Sequence, residues 1–248
     1  MPSSTTTLPA SLPAAVRSAI LTCAAALQQT GAVRTVAVYG GVARGRFVEG
    51  RSDVNLLVVL DRAERGDLQA LAPILARAAG VRFEPMFATF AELARLGVVF
   101  PIKFRDIQAR HVVVAGDAGL LTALQVPMTN ARLRVEQELR NLALRSRRRF
   151  VELADRPPAL QAHLAGLVRP LAIEVASLLA IDGHQVPEED RTAAIFAQAA
   201  GVYGLDAGLL RQLAELRQGA AAVGDPAQQF VGFLAVLDRL AQLAGGAE

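Results

Sequence analysis

Residues 38–60 read VYGGVARGRFVEGRSDVNLLVVL, and this stretch decides the fold. A first apolar run ends in Gly40-Gly41, and twelve residues after the second glycine an Asp-Val-Asn run opens another apolar segment. Side chains alternate between the two faces of a strand, so Asp53 and Asn55 lie on one face and the valine between them on the other. The sequence therefore predicts a carboxylate and a carboxamide side by side, close to a glycine turn.

The glycine turn itself predicts an anion site. A strand that ends in two glycines and continues through Ala43 and Gly45 brings backbone N–H groups close to whatever lies above the turn. Successive N–H groups in such a turn form a concave site that suits phosphate. We therefore expect this end of the sheet to face a ligand.

The composition limits the class of phosphate site. The formal net charge is only +3, and Lys103 is the only lysine in the chain. This excludes a Walker-type phosphate loop, which needs a Gly-Lys-Ser/Thr run. Arginine makes forked contacts with phosphate and carboxylate, so the arginine bias fits a nucleotide or nucleic-acid partner. A GC-rich genome would produce the same bias.

Cysteine and histidine give no sign of a metal centre. Cys23 is alone, which excludes a disulfide framework and a cysteine metal cluster. His111, His163 and His184 are scattered along the chain without the spacing of a zinc site.

The termini and the apolar segments favour a cytoplasmic protein that does not enter a membrane. The first residues lack the basic segment and apolar core of a signal peptide, so we expect a disordered leader over 1–12. Segment 164–181 is long and apolar, but Arg169 and Glu174 lie near its centre, where charges are costly in lipid. We therefore expect a buried helix there.

Apolar periodicity and breaker residues divide the chain into two domains. We predict an α/β domain over 13–126 and an all-helical bundle over 127–248. The first domain is expected to contain strands at 34–39, 53–60, 81–88 and 111–115 and helices at 13–31, 64–79 and 90–96. The bundle region is expected to contain helices at 129–154, 158–181, 188–202, 205–218 and 226–244, after a short helix at 117–124.

The residues of the opening stretch resemble the polymerase-β-type nucleotidyltransferase superfamily. Its signature is an apolar residue, Gly-Ser, ten to thirteen further residues, and then Asp-apolar-Asp/Glu-apolar. Members also show Ala-Arg-Gly after the turn and Ser-Asp at the second strand, as at 43–45 and 52–53 here. The element order strand, turn, helix, strand, helix, strand agrees, and so does a later Asp-Ile stretch leading into a strand that ends in Gly-Asp. The resemblance covers about residues 15–125 and implies an α+β fold, a mixed sheet with flanking helices.

The resemblance also implies the roles of individual residues. The two strand acids of the family hold two Mg²⁺ ions on a nucleoside triphosphate. Here Asp53 and Asn55 occupy those metal-binding positions. A third acid on a later strand activates the acceptor hydroxyl; Glu84 is the main candidate for it, and Asp106, which reads as a turn residue, is the weaker one. The expected nucleotide-binding residues are Gly40, Gly41, Arg44 and Ser52.

Two departures from the family pattern predict a degenerate site. Gly41 replaces the serine that contacts phosphate, and Asn55 replaces the second metal-binding acid. Because Mg²⁺ binding depends on carboxylate charge, we expect transfer activity to be lost or weak, while nucleotide binding persists. Two alternatives stay open: an active Mg²⁺-dependent enzyme acting on a small molecule or protein, and a non-catalytic scaffold.

The scaffold alternative depends on an arginine-rich helix at 129–156. This segment holds eight arginines and four acidic residues. We expect Arg134, Glu138, Arg145 and Arg149 to form an outer stripe that binds RNA or an acidic partner, unless it is only a solvated face. The buried side is expected to contain Leu133, Leu139, Leu142 and Leu153. Surplus apolar surface in the bundle would serve a homodimer contact.

Overall fold

The computed structural model describes residues 7–50, 52–77, 81–187, 191–219 and 224–246. Three predicted segments lie outside these ranges: the last residues of one helix at 78–79, the first residues of another at 188–190, and residues 1–6 of the leader. The chain consists of two compact units, Met1–Met128 and Thr129–Glu248.

The first unit is built on a four-stranded mixed sheet with the strand order β3-β2-β1-β4. Strand β1 pairs antiparallel with β2 and β4, whereas β2 and β3 are parallel. The predicted α+β class, a mixed sheet with flanking helices followed by a helical bundle, is confirmed. The elements are α1 (Ala14–Gln29), β1 (Val33–Tyr39), β2 (Val54–Leu60), α2 (Arg65–Ala76), β3 (Phe83–Thr89), α3 (Phe90–Val99), α4 (Pro101–Ala109), β4 (His111–Gly116) and α5 (Leu120–Ala123).

Each face of the sheet is covered by helices, because both sets of alternating strand side chains are apolar. On one face Val54, Leu56 and Val58 pack with α1 and with Leu71 of α2. On the other face Leu57 and Val59 pack against α3, α4 and α5. The alternation predicted for β2 is therefore correct, and the side of Leu57 is also the side of Asn55.

The prediction of a disordered leader is wrong for residues 8–12. Leu8 and Leu12 are buried in the core between the sheet and α1. The guanidinium of Arg17 donates hydrogen bonds to the carbonyls of Leu8, at 3.2 Å, and Pro9, at 2.6 Å. Two leucines four residues apart supply enough apolar surface to hold this segment against the domain.

Two local expectations are corrected by backbone hydrogen bonding. Residues 40–45 form one hydrogen-bonded turn, and no α-helix joins β1 to β2 among the described residues, which omit 51. Asp106 lies inside α4 and not in a turn. Helix α4 begins at Pro101, whose missing N–H is not needed in a first helical turn.

The second unit is helical throughout its described residues. Its elements are α6 (Ala131–Leu153), α7 (Pro157–Ile181), α8 (Arg191–Tyr203), α9 (Ala207–Arg217) and α10 (Pro226–Gly245). Leu139, Leu142 and Leu153 of α6 are buried as predicted, but Leu133 is 51% exposed. The prediction for Leu133 is wrong because it lies on the outer side of α6, between the exposed residues Arg132 and Gln137 and the half-buried Arg134.

Among the described residues, one helix, α7, is long and apolar enough to cross a membrane, judged by length and composition alone. Half of its most apolar 18-residue window is buried inside the protein. Leu164, Val168 and Leu171 are fully buried, so α7 also has the features of a bundle core helix.

Candidate functional site

Four residues form a row across the sheet at one end of its strands, where β1 ends and β2, β3 and β4 begin; this end is called the sheet edge below. Tyr39, the last residue of β1, pairs with Asn55 of β2 and with His111 of β4, and Asn55 pairs in turn with Glu84 of β3. Residues paired across neighbouring strands point to the same face of a sheet. The register therefore brings the predicted residues Asn55 and Glu84 together, next to the glycine turn that follows Tyr39.

The side chain of Asn55 lies against Gly40. A Cβ atom at Gly40 would be 3.0 Å from Nδ2 of Asn55, and Gly40 has φ of +71°. Gly41 differs on both counts, since its φ is ordinary and the nearest atom to a Cβ there is the Arg46 carbonyl oxygen at 3.9 Å. Of the two positions, only Gly40 thus requires glycine, because of its positive φ and because the Asn55 side chain lies so close.

This difference predicts unequal effects of alanine in the pair. Gly40→Ala is expected to lower the free energy of unfolding by about 1–2 kcal/mol, since an L-residue with positive φ is strained. Gly41→Ala is its matched control and is expected to change that energy by less than ~0.5 kcal/mol. Urea denaturation of the two variants measures the difference. Equal losses would show that the structure assigns the turn incorrectly.

The turn after β1 leaves its first amides open. The N–H groups of Arg44 and Arg46 both donate to the carbonyl of Gly41, at 3.2 and 2.9 Å. Among the described residues, no acceptor faces the N–H groups of Gly41, Val42 and Ala43. These N–H groups belong to the turn at which the sequence predicts an amide cradle.

Asp53 lies directly before β2 and is bound to an arginine. Its Oδ1 is 2.8 Å from Nε of Arg82, which lies directly before the parallel strand β3. The backbone of Arg82 is fixed as well, because its carbonyl accepts a hydrogen bond from Val54 N–H at 2.8 Å. The Asp53 side chain is 38% exposed and that of Arg82 66%. The one acid of the β2 motif is therefore already neutralised by a cation of the chain itself.

Glu84 is exposed, and its charge reaches Tyr39. Burial raises the pKa of the Tyr39 hydroxyl, and the nearby Glu84 carboxylate raises it further. The register places Glu84 on the same side of the sheet as Tyr39, with Asn55 between them. Pro85 follows Glu84 in β3, an outer strand of the sheet, where proline is tolerated.

The other predicted nucleotide-binding residues make structural contacts. Arg44 is only 11% exposed and forms an ion pair with Asp106, which ties the glycine turn to α4. Ser52 accepts a hydrogen bond from Val48 N–H at 2.9 Å through its Oγ. Asp106, the weaker candidate for the third acid, is thus occupied by Arg44.

The donor set does not fit the Mg²⁺ ions that the resemblance implies. Mg²⁺ binds carboxylates in an octahedral shell. Asn55 is neutral, Asp53 is engaged by Arg82, and the Asn55 atom nearest the turn is a nitrogen donor. Within the described ranges, no group of three or more His, Cys, Asp or Glu residues could hold a metal ion.

Sequence reasoning missed three residues of this edge: Tyr39, Arg82 and His111. Arg82 can be identified only once β3 is known to lie parallel beside β2, because a residue directly before one parallel strand lies beside the residue directly before its neighbour. His111 is 2% exposed, its Nδ1 bonds to the Ile107 carbonyl at 2.9 Å, and its Nε2 has no partner among the described residues. No sequence pattern indicated that this histidine would join the row.

The arginines of α6 and the residues after it are mostly paired within the second unit. One terminal guanidinium nitrogen of Arg147 donates to both carboxylate oxygens of Asp238, at 2.7 and 2.8 Å. Arg132 forms an ion pair with Asp182. Six of the eight arginines in 129–156 lie within 4.0 Å of a carboxylate: 132, 140, 147, 148, 149 and 156. Arg149 is the arginine of the predicted stripe among these six.

No protein-family model matches this chain, and no curated protein matches it. Among solved structures, the chain is similar to a nucleotidyltransferase-like protein from Exiguobacterium sibiricum 255-15. The likeness has a TM-score of 0.40 at 18% sequence identity and covers 92% of this chain and 77% of that one. A likeness of this strength assigns no activity.

Proposed function

We propose that this chain is a degenerate nucleotidyltransferase-like protein that binds a nucleoside triphosphate and has lost most or all transfer activity. The observation that carries the proposal is the position of Asn55. It lies in the register of the row, against Gly40, where the nucleotidyltransferase motif has its second metal-binding acid. A neutral amide there removes half of the carboxylate charge that two-metal transfer needs.

The amide cradle supports the retained binding function. Gly40 lies against Asn55, and the next three residues of the chain, Gly41, Val42 and Ala43, carry the N–H groups of the cradle. Phosphate oxygens bind well to such consecutive donors. The triphosphate would therefore lie over the turn, on the side of the sheet edge that carries the row.

One observation favours an active enzyme as a second candidate. Glu84 lies in register beside Asn55, so a second carboxylate is available on the neighbouring strand. In this alternative Asp53 and the amide oxygen of Asn55 would hold the metal, and Glu84 would be the base that activates the acceptor hydroxyl. Metal catalysis is worth several kcal/mol of transition-state stabilisation, so the two candidates differ by orders of magnitude in rate.

A charge placed in the cradle tests the binding proposal. Gly41→Glu is expected to abolish the rise in melting temperature that ATP causes in the natural chain, because a carboxylate in the cradle repels the triphosphate. The control is Gly66→Glu, since Gly66 is exposed in α2 and nothing lies within 4 Å of a Cβ there. Differential scanning fluorimetry with and without ATP measures the shift.

Binding and activity have separate negative outcomes. An ATP shift that Gly41→Glu retains would contradict a site at the glycine turn, and the absence of any shift in the natural chain would contradict nucleotide binding. Mg²⁺-dependent transfer from radiolabelled ATP, abolished by Asp53→Ala, would establish the active alternative instead.

A further inference from the structure

The ion pair between Asp53 and Arg82 stands where the nucleotidyltransferase motif places a divalent cation. We propose that the Arg82 guanidinium replaces that cation, so that the site takes a nucleoside triphosphate free of metal. This inference rests on the proposed function and adds the form in which the nucleotide binds. It begins from the misfit between the donor set and Mg²⁺.

The charge of the motif carboxylate is balanced without a metal. A site with two strand carboxylates needs divalent cations before a triphosphate can approach, because like charges repel. Here the motif has the single carboxylate of Asp53, and the single positive charge of Arg82 lies 2.8 Å away. A metal ion would have to displace this guanidinium to reach Oδ1.

The arginine is held in place from two sides. Its Nε contacts Asp53, and its backbone carbonyl accepts from Val54 N–H at 2.8 Å. With the stem fixed in this way, 66% of the side chain stays exposed at the same sheet edge as the glycine turn. A guanidinium presents donors in a planar fork that matches phosphate oxygens.

Asparagine at position 55 also favours phosphate binding without a metal. A carboxylate can approach a phosphate only through a bridging cation, whereas an amide NH₂ donates a hydrogen bond to a phosphate oxygen directly. Nδ2 of Asn55 lies 3.0 Å from the Cβ position of Gly40, the residue directly before Gly41. Asn55 and the Asp53–Arg82 ion pair thus change one site consistently, from a cation-holding edge to an edge of direct donors.

The other end of β2 supplies a matched control. Asp61 follows β2 and pairs with Arg34 at 2.6 Å, with side chains 47% and 40% exposed. This pair joins the same two charged groups as Asp53 and Arg82, with an added contact of Arg34 to the Phe90 ring, and it lies at the far end of the strand from the glycine turn. Arg34→Gln therefore removes the same charge and the same kind of contact without touching the site.

Calorimetric titration with ATP, in EDTA and in excess Mg²⁺, tests the inference on the natural chain, Arg82→Gln and Arg34→Gln. The natural chain and Arg34→Gln are expected to have dissociation constants that agree between the two conditions within about threefold. Arg82→Gln is expected to bind about tenfold or more weakly in EDTA, the loss expected for a charge-assisted contact. Mg²⁺ should recover part of this loss, since Asp53 is then open to a cation.

A second readout needs no nucleotide. Mn²⁺ titration followed by electron paramagnetic resonance should show binding to Arg82→Gln and not to the natural chain. ATP binding to the natural chain only with Mg²⁺, Mn²⁺ binding to the natural chain that Asp53→Asn removes, or equal ATP affinity of Arg82→Gln in EDTA would each overturn the inference and leave nucleotide binding intact. Absence of ATP binding in both conditions would overturn the proposed function as well.

Discussion

Asn55→Asp is expected to give the protein a metal-dependent stability that the natural chain lacks. Without divalent cations the variant should melt several degrees lower, because the new carboxylate lies between Asp53 and Glu84 at one sheet edge, and like charges on adjacent strands cost up to about 1 kcal/mol. Mg²⁺ or Mn²⁺ should reverse the loss, since two strand carboxylates restore the ligand charge that the metal requires. Aspartate has nearly the shape of asparagine, so the contact with Gly40 is preserved.

Asn141→Asp is the matched control for this prediction. It makes the same chemical change at an exposed position of α6, where no metal site is expected. Melting curves with EDTA, Mg²⁺ and Mn²⁺ on both variants separate a local effect from a general response to charge. If Asn55→Asp responds to metal no more than Asn141→Asp, position 55 does not belong to a former metal site.

The same variant can also be combined with Gly41→Ser to rebuild the family pattern. The serine Cβ would have its nearest neighbour, the Arg46 carbonyl oxygen, at 3.9 Å, so the backbone accepts it without rearrangement. Arg82 would still hold Asp53 in the double variant. Any residual weakness in metal binding would then report on that ion pair alone.

The sheet could be predicted from the sequence because its signal is local. Each strand is a short apolar run bounded by glycine or charged residues, and period-two alternation assigned Leu57 and Val59 to one face before any pairing was known. The glycine turn was equally visible, since two consecutive glycines at a strand end have few other uses.

The rest of the site depends on which strands become neighbours. Arg82 reaches Asp53 only because β3 lies parallel beside β2, and Asp106 reaches Arg44 only because α4 packs across the second face of the sheet. Neither partner is close in sequence, so no spacing rule connects them. Leu8 and Leu12 were assigned to a disordered leader for the same reason: they become core residues only when α1 and the sheet are already assembled.

Gly116→Ala is expected to have the largest effect on folding of any glycine substitution in the sheet. Gly116 ends β4 opposite Thr35, with φ of +87°, and a Cβ there would be 2.0 Å from the Arg34 carbonyl oxygen and 2.9 Å from the Thr35 Cα. These atoms are backbone, so β1 and β4 would have to separate. We expect a loss of at least about 3 kcal/mol in the free energy of unfolding, or failure to fold.

Gly31→Ala separates this steric effect from backbone strain. Gly31 has a similar φ of +75°, but nothing lies within 4 Å of a Cβ there, so its alanine variant should lose only about 1 kcal/mol. Urea denaturation compares the two, and soluble yield serves if Gly116→Ala cannot be purified. Because β4 also carries His111 into the row beside Tyr39, opening the β1–β4 pairing should remove His111 from the row. Equal losses in the two variants would mean that β4 is not held at this distance from β1, and the position of His111 in the row would then be wrong as well.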